Sequence, residues 1–238
     1  MMVLSTAFLK NDYIGVSMEH DIKGGPGFSY VEIPLPPGGE VITESGAMAS
    51  MDGGIELKTK FNGGFLGGLL MKFLGKESLF INTLSNTTET SKTVILTQNS
   101  PGEVCSVNLQ NENLYIQPGS FLAASNGVKL GLRWAGFSSW IGGEGLFRIK
   151  IFGTGFVWYG AYGAVVEKEI DGDYLVDTGH LLAYPGSIKL RLQLSGGLFS
   201  SFFGGEGFLL RLEGKGKIKL QSRSLGGLAN WLNPRFWG

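Results

Sequence analysis

Pro118-Gly119-Ser120-Phe121-Leu122-Ala123-Ala124-Ser125-Asn126-Gly127-Val128-Lys129-Leu130-Gly131 holds a strand, a turn and a second strand in succession. An early glycine precedes a short apolar stretch, a turn pair, and then strict apolar/polar alternation. Two more segments align to it without a gap. They are Ser45-Gly46-Ala47-Met48-Ala49-Ser50-Met51-Asp52-Gly53-Gly54-Ile55-Glu56-Leu57-Lys58 and Thr178-Gly179-His180-Leu181-Leu182-Ala183-Tyr184-Pro185-Gly186-Ser187-Ile188-Lys189-Leu190-Arg191. The turns are Asp52-Gly53-Gly54, Asn126-Gly127 and Pro185-Gly186, pairs that supply the positive or preset φ of tight turns. Alternation at Ile55/Leu57, Val128/Leu130/Leu132 and Ile188/Leu190/Leu192 turns one face of a strand inward.

The match extends outward in both directions. A short strand precedes each glycine: Val41-Ile42, Leu114-Tyr115-Ile116 and Tyr174-Leu175-Val176. A glycine-rich apolar loop ending in a glutamate follows each segment, at Gly63 to Glu77, Gly136 to Glu144 and Gly196 to Glu206. Another strand comes after each glutamate, and in the later two units it meets Gly153-Thr154-Gly155 and Gly214-Lys215-Gly216. Internal duplication explains so many matches in one order. The expected fold is all-β: one domain over 1–238 with antiparallel units at about 18–90, 104–165 and 166–224, an aromatic tail at 225–238, and few or no long helices. Strands this short, joined by tight turns, build barrels, sandwiches or β-helical rolls. Pseudo-threefold packing would bury each apolar face, and a sandwich without that symmetry is the alternative.

Glycine accounts for 39 of 238 residues, about twice ordinary usage, and without collagen spacing this means turns. With 43% hydrophobic residues the chain can bury a core unaided by disulfides or metals. Twenty basic residues balance twenty acidic ones, so the basic face that nucleic-acid binding needs is not expected. Cys105, the single cysteine, cannot bridge within the chain and suits a reducing compartment, although a disulfide-free secreted protein would look the same. No signal peptide and no membrane-spanning run are read in the sequence, so a cytoplasmic protein, at most peripheral to a membrane, is expected.

Several motifs together resemble the "altered inheritance of mitochondria" protein family of fungi. They are Gly38-Gly39-Glu40-Val41-Ile42-Thr43-Glu44-Ser45-Gly46-Ala47-Met48, Met51-Asp52-Gly53-Gly54-Ile55, Gly75-Lys76-Glu77-Ser78-Leu79-Phe80, Gly142-Gly143-Glu144-Gly145-Leu146, Val176-Asp177-Thr178-Gly179-His180 and Gly204-Gly205-Glu206-Gly207. The resemblance spans about residue 18 to residue 221. It implies a fold similar to the trp RNA-binding attenuation protein, a short relative of the double-stranded β-helix. It also implies no established enzymatic activity, and in eukaryotes a link to mitochondrial inner-membrane organisation. No Arg-rich amphipathic presequence is read in the sequence, so a mitochondrial location is not expected.

Residues able to do chemistry are few. His180 lies three residues after Asp177, and His20 adjoins Asp21. An Asp–His pair can orient a base or share a metal; it equally makes a turn in which Asp caps backbone amides. Asp177 and His180 are therefore the candidate ligand site. No spacing resembles a zinc or calcium site, no nucleophile elbow or triad occurs, and no cofactor is expected. Glycine loops that lead into strands are not phosphate cradles. Glu77, Glu144 and Glu206 recur in every unit and are expected to fix their loops as turn acceptors. Cys105, within Val-Cys-Ser-Val, reads as a buried strand thiol.

The glycine loops are rich in bulky apolar residues: Phe65, Leu66, Leu69, Leu70 and Phe73, then Trp140, then Phe199, Phe202 and Phe203. Exposed, they would mark partner or membrane contact; folded over, they would plug the core ends. Trp231, Phe236 and Trp237 give the tail similar character, and Pro234 argues against a long helix there. Two readings follow. One is a non-enzymatic scaffold or interaction protein that binds a protein partner or itself, with a membrane surface as a further contact. The other is a small-ligand or catalytic site at Asp177 and His180. RNA binding is a weaker third.

Overall fold

The computed structural model of the protein describes residues 18–60, 81–134, 147–194 and 208–236. Taken as three successive stretches of the chain, 21–97, 104–160 and 165–236, the first supplies β1 (Asp21–Lys23), β2 (Tyr30–Leu35), β3 (Glu40–Glu44), β4 (Met48–Met51), β5 (Ile55–Lys60), β6 (Ile81–Asn86) and β7 (Lys92–Thr97). The second supplies β8 (Val104–Ile116), β9 (Phe121–Ser125), β10 (Val128–Trp134) and β11 (Phe147–Gly160). The third supplies β12 (Val165–Asp177), a 3-10 turn (Thr178–His180), β13 (Leu181–Pro185), β14 (Lys189–Leu194) and β15 (Phe208–Gln221), followed by helix α1 (Leu225–Phe236). The protein is all-β, with antiparallel sheets and a single helix among the described residues.

One sheet has the order β1-β2-β7-β4. The other runs β12-β15-β13-β8-β11-β9-β3-β6-β5, with β10 also on β11 and β14 also on β15. The turns in the quoted segments are corners and not hairpins. β10 pairs with the first half of β11, Val128 opposite Gly153 through Trp134 opposite Phe147, whereas β9 pairs with its second half, Ala124 opposite Val157. β14 and β13 divide β15 in the same way, and β5 and β4 take the separate strands β6 and β7. A strand can serve both neighbours only by bending, and the register of β11 shifts between Gly153 and Thr154. Gly153 and Gly155 have φ of 110° and 137°, the region that excludes most L side chains.

The turn glycines owe their place to crowding as much as to φ. Of Gly53, Gly54, Gly127 and Gly186, Gly54 alone has a positive φ, 91°. A Cβ on Gly127 would lie 2.3 Å from the Thr154 carbonyl oxygen, because the corner packs against the bend of β11.

Two seams join the stretches edge to edge. β3 pairs with β9, with Val41, Ile42 and Thr43 opposite Ser125, Ala124 and Ala123. β8 pairs with β13, with Leu114, Tyr115 and Ile116 opposite Pro185, Tyr184 and Ala183. Closed threefold packing would need a third seam, β12 on β4, and the described pairings contain none.

The core follows the seams. One cluster gathers Val31, Ile33, Leu35, Val94 and Leu96 but also takes Leu122, Ala123 and Trp158 from the second stretch. Another, around Phe121, Ile149, Ile151 and Val157, takes Leu182 and Ala183 from the third. A third holds Ile170, Leu181, Ile188, Leu210, Leu212 and Ile218, with Tyr115 from the second. Leu57, read as inward, is exposed, because β5 ends its sheet and pairs only with β6.

Backbone crowds closely around Gly102, which is bridged to both Phe28 and Gly163. A Cβ there would sit 2.0 Å from the Ala161 carbonyl oxygen and 2.7 Å from the Gly163 nitrogen. Gly102→Ala is expected to cost at least about 2 kcal/mol, read from the urea midpoint, because backbone must move. Gly27→Ala meets nothing within 4 Å and should stay within about 0.5 kcal/mol of the parent.

Candidate functional site

Asp177 ends β12 in extended conformation and caps the 3-10 turn, its Oδ1 accepting from the Gly179 amide at 2.9 Å. The turn aims His180 at the end of β15. Its Nδ1 lies 2.7 Å from the Gln221 carbonyl oxygen, which can only accept, so Nδ1 carries the proton.

Gln221 is buried and every polar group of its amide is used. Its Nε2 donates to the Gly179 carbonyl at 2.8 Å and to Gln117 Oε1 at 3.1 Å, while its Oε1 accepts from the Tyr162 amide at 2.9 Å. Gln117 follows β8, so this network ties the turn to the seam between β8 and β13. Asp177 and His180 thus both hold the turn, one from within it and one from β15. Sequence reading missed Gln221, which lies 41 residues from His180 and carries no local pattern.

The other candidates are packing residues. His20 sets its ring edge-on to Phe156 at 4.9 Å and to Trp158 at 5.1 Å, with Nδ1 3.2 Å from the Met18 carbonyl oxygen. Cys105 is buried in β8 beside Tyr159 and Lys219, and Lys219 reaches Glu167 at 3.1 Å. Burial pushes the Cys105 thiol up against the opposing pull of Lys219. Burial also pushes the Tyr159 hydroxyl well up. A thiol held protonated in a core is a poor nucleophile. Among the described residues no group of three or more His, Cys, Asp or Glu is placed to hold a metal.

Glu77, Glu144, Glu206, Phe65, Leu66, Leu69, Leu70, Phe73, Trp140, Phe199, Phe202, Phe203 and Trp237 lie outside the described residues. The tail forms helix α1, none of whose residues is buried. It runs through Pro234, which stands near the end and so removes only the bond to the Asn230 carbonyl. Arg235 stacks on Trp231 at 4.0 Å and donates to the Trp231 carbonyl, consolidating that last turn. Trp231 is 55% and Phe236 73% exposed. No helix among the described residues is long and apolar enough to cross a membrane.

These features define an antiparallel β protein of corner-linked strands with an appended apolar helix. It belongs to the mitochondrial biogenesis AIM24 family, whose pattern matches residues 20–223. An uncharacterized protein of Streptococcus pyogenes serotype M6 is 28% identical over 207 residues, covering 83% of each chain. The crystal structure of a Streptococcus pyogenes protein matches with a TM-score of 0.76 at 26% identity, covering 92% of this chain and 100% of that one.

Replacing the buried amide in Gln221→Leu strands the Gly179 carbonyl and the Tyr162 amide. The expected loss is about 2–3 kcal/mol of unfolding free energy in urea, without a change of fold by circular dichroism. Alkaline pH should act through Cys105 and Tyr159. Their folded values are raised above the ordinary 9.0 and 10.0, so the folded state holds protons that the unfolded chain releases. Their contribution is complete below about pH 9 and falls above it, by up to about 1.4 kcal/mol per pH unit for each group. Urea midpoints between pH 8 and 10.5 should therefore decline, and less steeply in Cys105→Ala.

Proposed function

We propose that the protein is a non-enzymatic scaffold that attaches to a membrane surface through helix α1. The observation that carries this reading is the face of that helix. Leu225, Leu228, Trp231, Leu232 and Phe236 recur at three- and four-residue spacing, and none is buried in the body of the protein. An apolar stripe ending in a stacked Trp–Arg pair suits the headgroup boundary, where amphipathic rings and a cation meet both phases. The scaffold part is supported by the candidate chemical groups, since Asp177, His180, His20 and Cys105 are each engaged in turns or packing. A family description of mitochondrial biogenesis is in keeping with work at membranes.

Flotation with vesicles of equal neutral and anionic phospholipid tests the attachment. Wild-type protein should rise with the vesicles, and Trp231→Ser/Phe236→Ser should remain below. Wild type left in the soluble fraction would remove the membrane part. A metabolite thermal shift abolished by His180→Ala would replace the scaffold reading with a ligand site at Asp177 and His180.

A further inference from the structure

The two seams obey one register rule. In the first, Thr43, three residues before Gly46, faces Ala123, four residues after Gly119. In the second, Ile116, three residues before Gly119, faces Ala183, four residues after Gly179. The next two pairs outward match as well: Ile42 with Ala124 and Val41 with Ser125, Tyr115 with Tyr184 and Leu114 with Pro185.

Applied once more, the rule sets Val176 opposite Ser50, Leu175 opposite Met51 and Tyr174 opposite Asp52. Neither strand has a partner on that side among the described residues: β12 pairs only with β15, and β4 only with β7. Their exposure records the missing neighbour. All five residues of β9 and four of five in β13 are buried, whereas three of four in β4 are exposed. The two side chains that the rule makes face each other are both large apolar residues standing in solvent, Leu175 at 49% and Met51 at 36% exposed. β4 is otherwise built like β9, with the same offset of pairing and the same irregularity on its inner side.

We propose that these edges pair between copies, the Tyr174–Val176 edge of one molecule on the Ser50–Asp52 edge of the next. The contact is head-to-tail, so each molecule offers both halves and the series ends in a ring or a filament. The occupant is a second copy of this chain, because the chain twice demonstrates the edge that each strand accepts. Strand addition supplies the backbone bonds and the Leu175–Met51 contact the apolar burial. This inference stands apart from the reading of α1, since neither edge belongs to the helix.

Single-cysteine insertion separates the outcomes. Chains carrying Met51→Cys alone and Leu175→Cys alone are mixed and oxidised. Directly opposed residues place their Cβ atoms within disulfide reach, so crosslinked dimers should form in the mixture. Mixing Leu57→Cys with Leu175→Cys should give no such product, and wild type controls for Cys105. The double variant Met51→Cys/Leu175→Cys should give a ladder of dimers, trimers and higher species on a non-reducing gel. An intrachain disulfide that leaves only monomer would overturn the proposal, as would no crosslink at all. In sedimentation at high micromolar concentration wild type should run at multiples of the monomer mass, and Leu175→Arg as monomer with unchanged circular dichroism. Wild type that sediments only as monomer would equally overturn it.

Discussion

Edge-to-edge hydrogen bonding at the two seams is the constraint on which the rest of this structure depends. β9 and β13 are each held on both sides, by a strand of their own stretch and by one from the stretch before. That double pairing buries their backbones and draws Leu122, Trp158, Leu182 and Tyr115 into clusters centred on neighbouring stretches. No stretch has a core of its own alone. A strand edge without a partner is a row of unmet donors and acceptors, which proteins normally cover or blunt. Here the interior edges are covered by strands of the neighbouring stretch, and among the described residues the outer edges of β4 and β12 are not.

Covering an edge on both sides forces the long strands to bend, and glycines stand at the bends. Along one edge β11 and β15 each serve two partners in turn, and each carries glycines with positive φ where it passes from one to the other: Gly153 and Gly155, Gly214 and Gly216. The corner strands must then approach those bends closely. Ser187 marks the same contact in the third stretch, its hydroxyl donating to the Lys215 carbonyl at 3.0 Å. In the first stretch the long strand is instead broken between Asn86 and Lys92, and the Asn86 side chain replaces the bend. It donates to the Leu35 and Thr90 carbonyls and accepts from the Thr88 amide. Glycine and asparagine solve the same geometric problem at equivalent places.

Much of this was legible in the sequence because it is local. Alternation located β5, β10 and β14, and Gly153-Thr154-Gly155 stood out as a glycine pair on the strand that became β11. What was not legible is the partner across space. Asn126-Gly127 looks the same whether it closes a hairpin or turns a corner, since the difference lies in which half of β11 each strand meets. Asp177 and His180 were visible as a pair, but the residue that engages the imidazole, Gln221, arrives from the far end of β15. Leu57 failed for a related reason, because alternation tells which face a residue takes and not whether anything covers that face.

Head-to-tail pairing would also change what the exposed helix can accomplish. A single twelve-residue helix with one cation in its last turn offers a membrane little apolar area and little charge. Its attachment is then weak and reversible. Copies joined through β12 and β4 would present one such helix per molecule on a common support. Linked sites rebind before the assembly can leave, so avidity rises by orders of magnitude without any new contact. The two devices are then complementary: an open edge short enough to keep the monomer manageable, and a helix too weak to act until the edges have met. A scaffold so arranged responds steeply to its own concentration, since assembly and attachment strengthen each other through mass action.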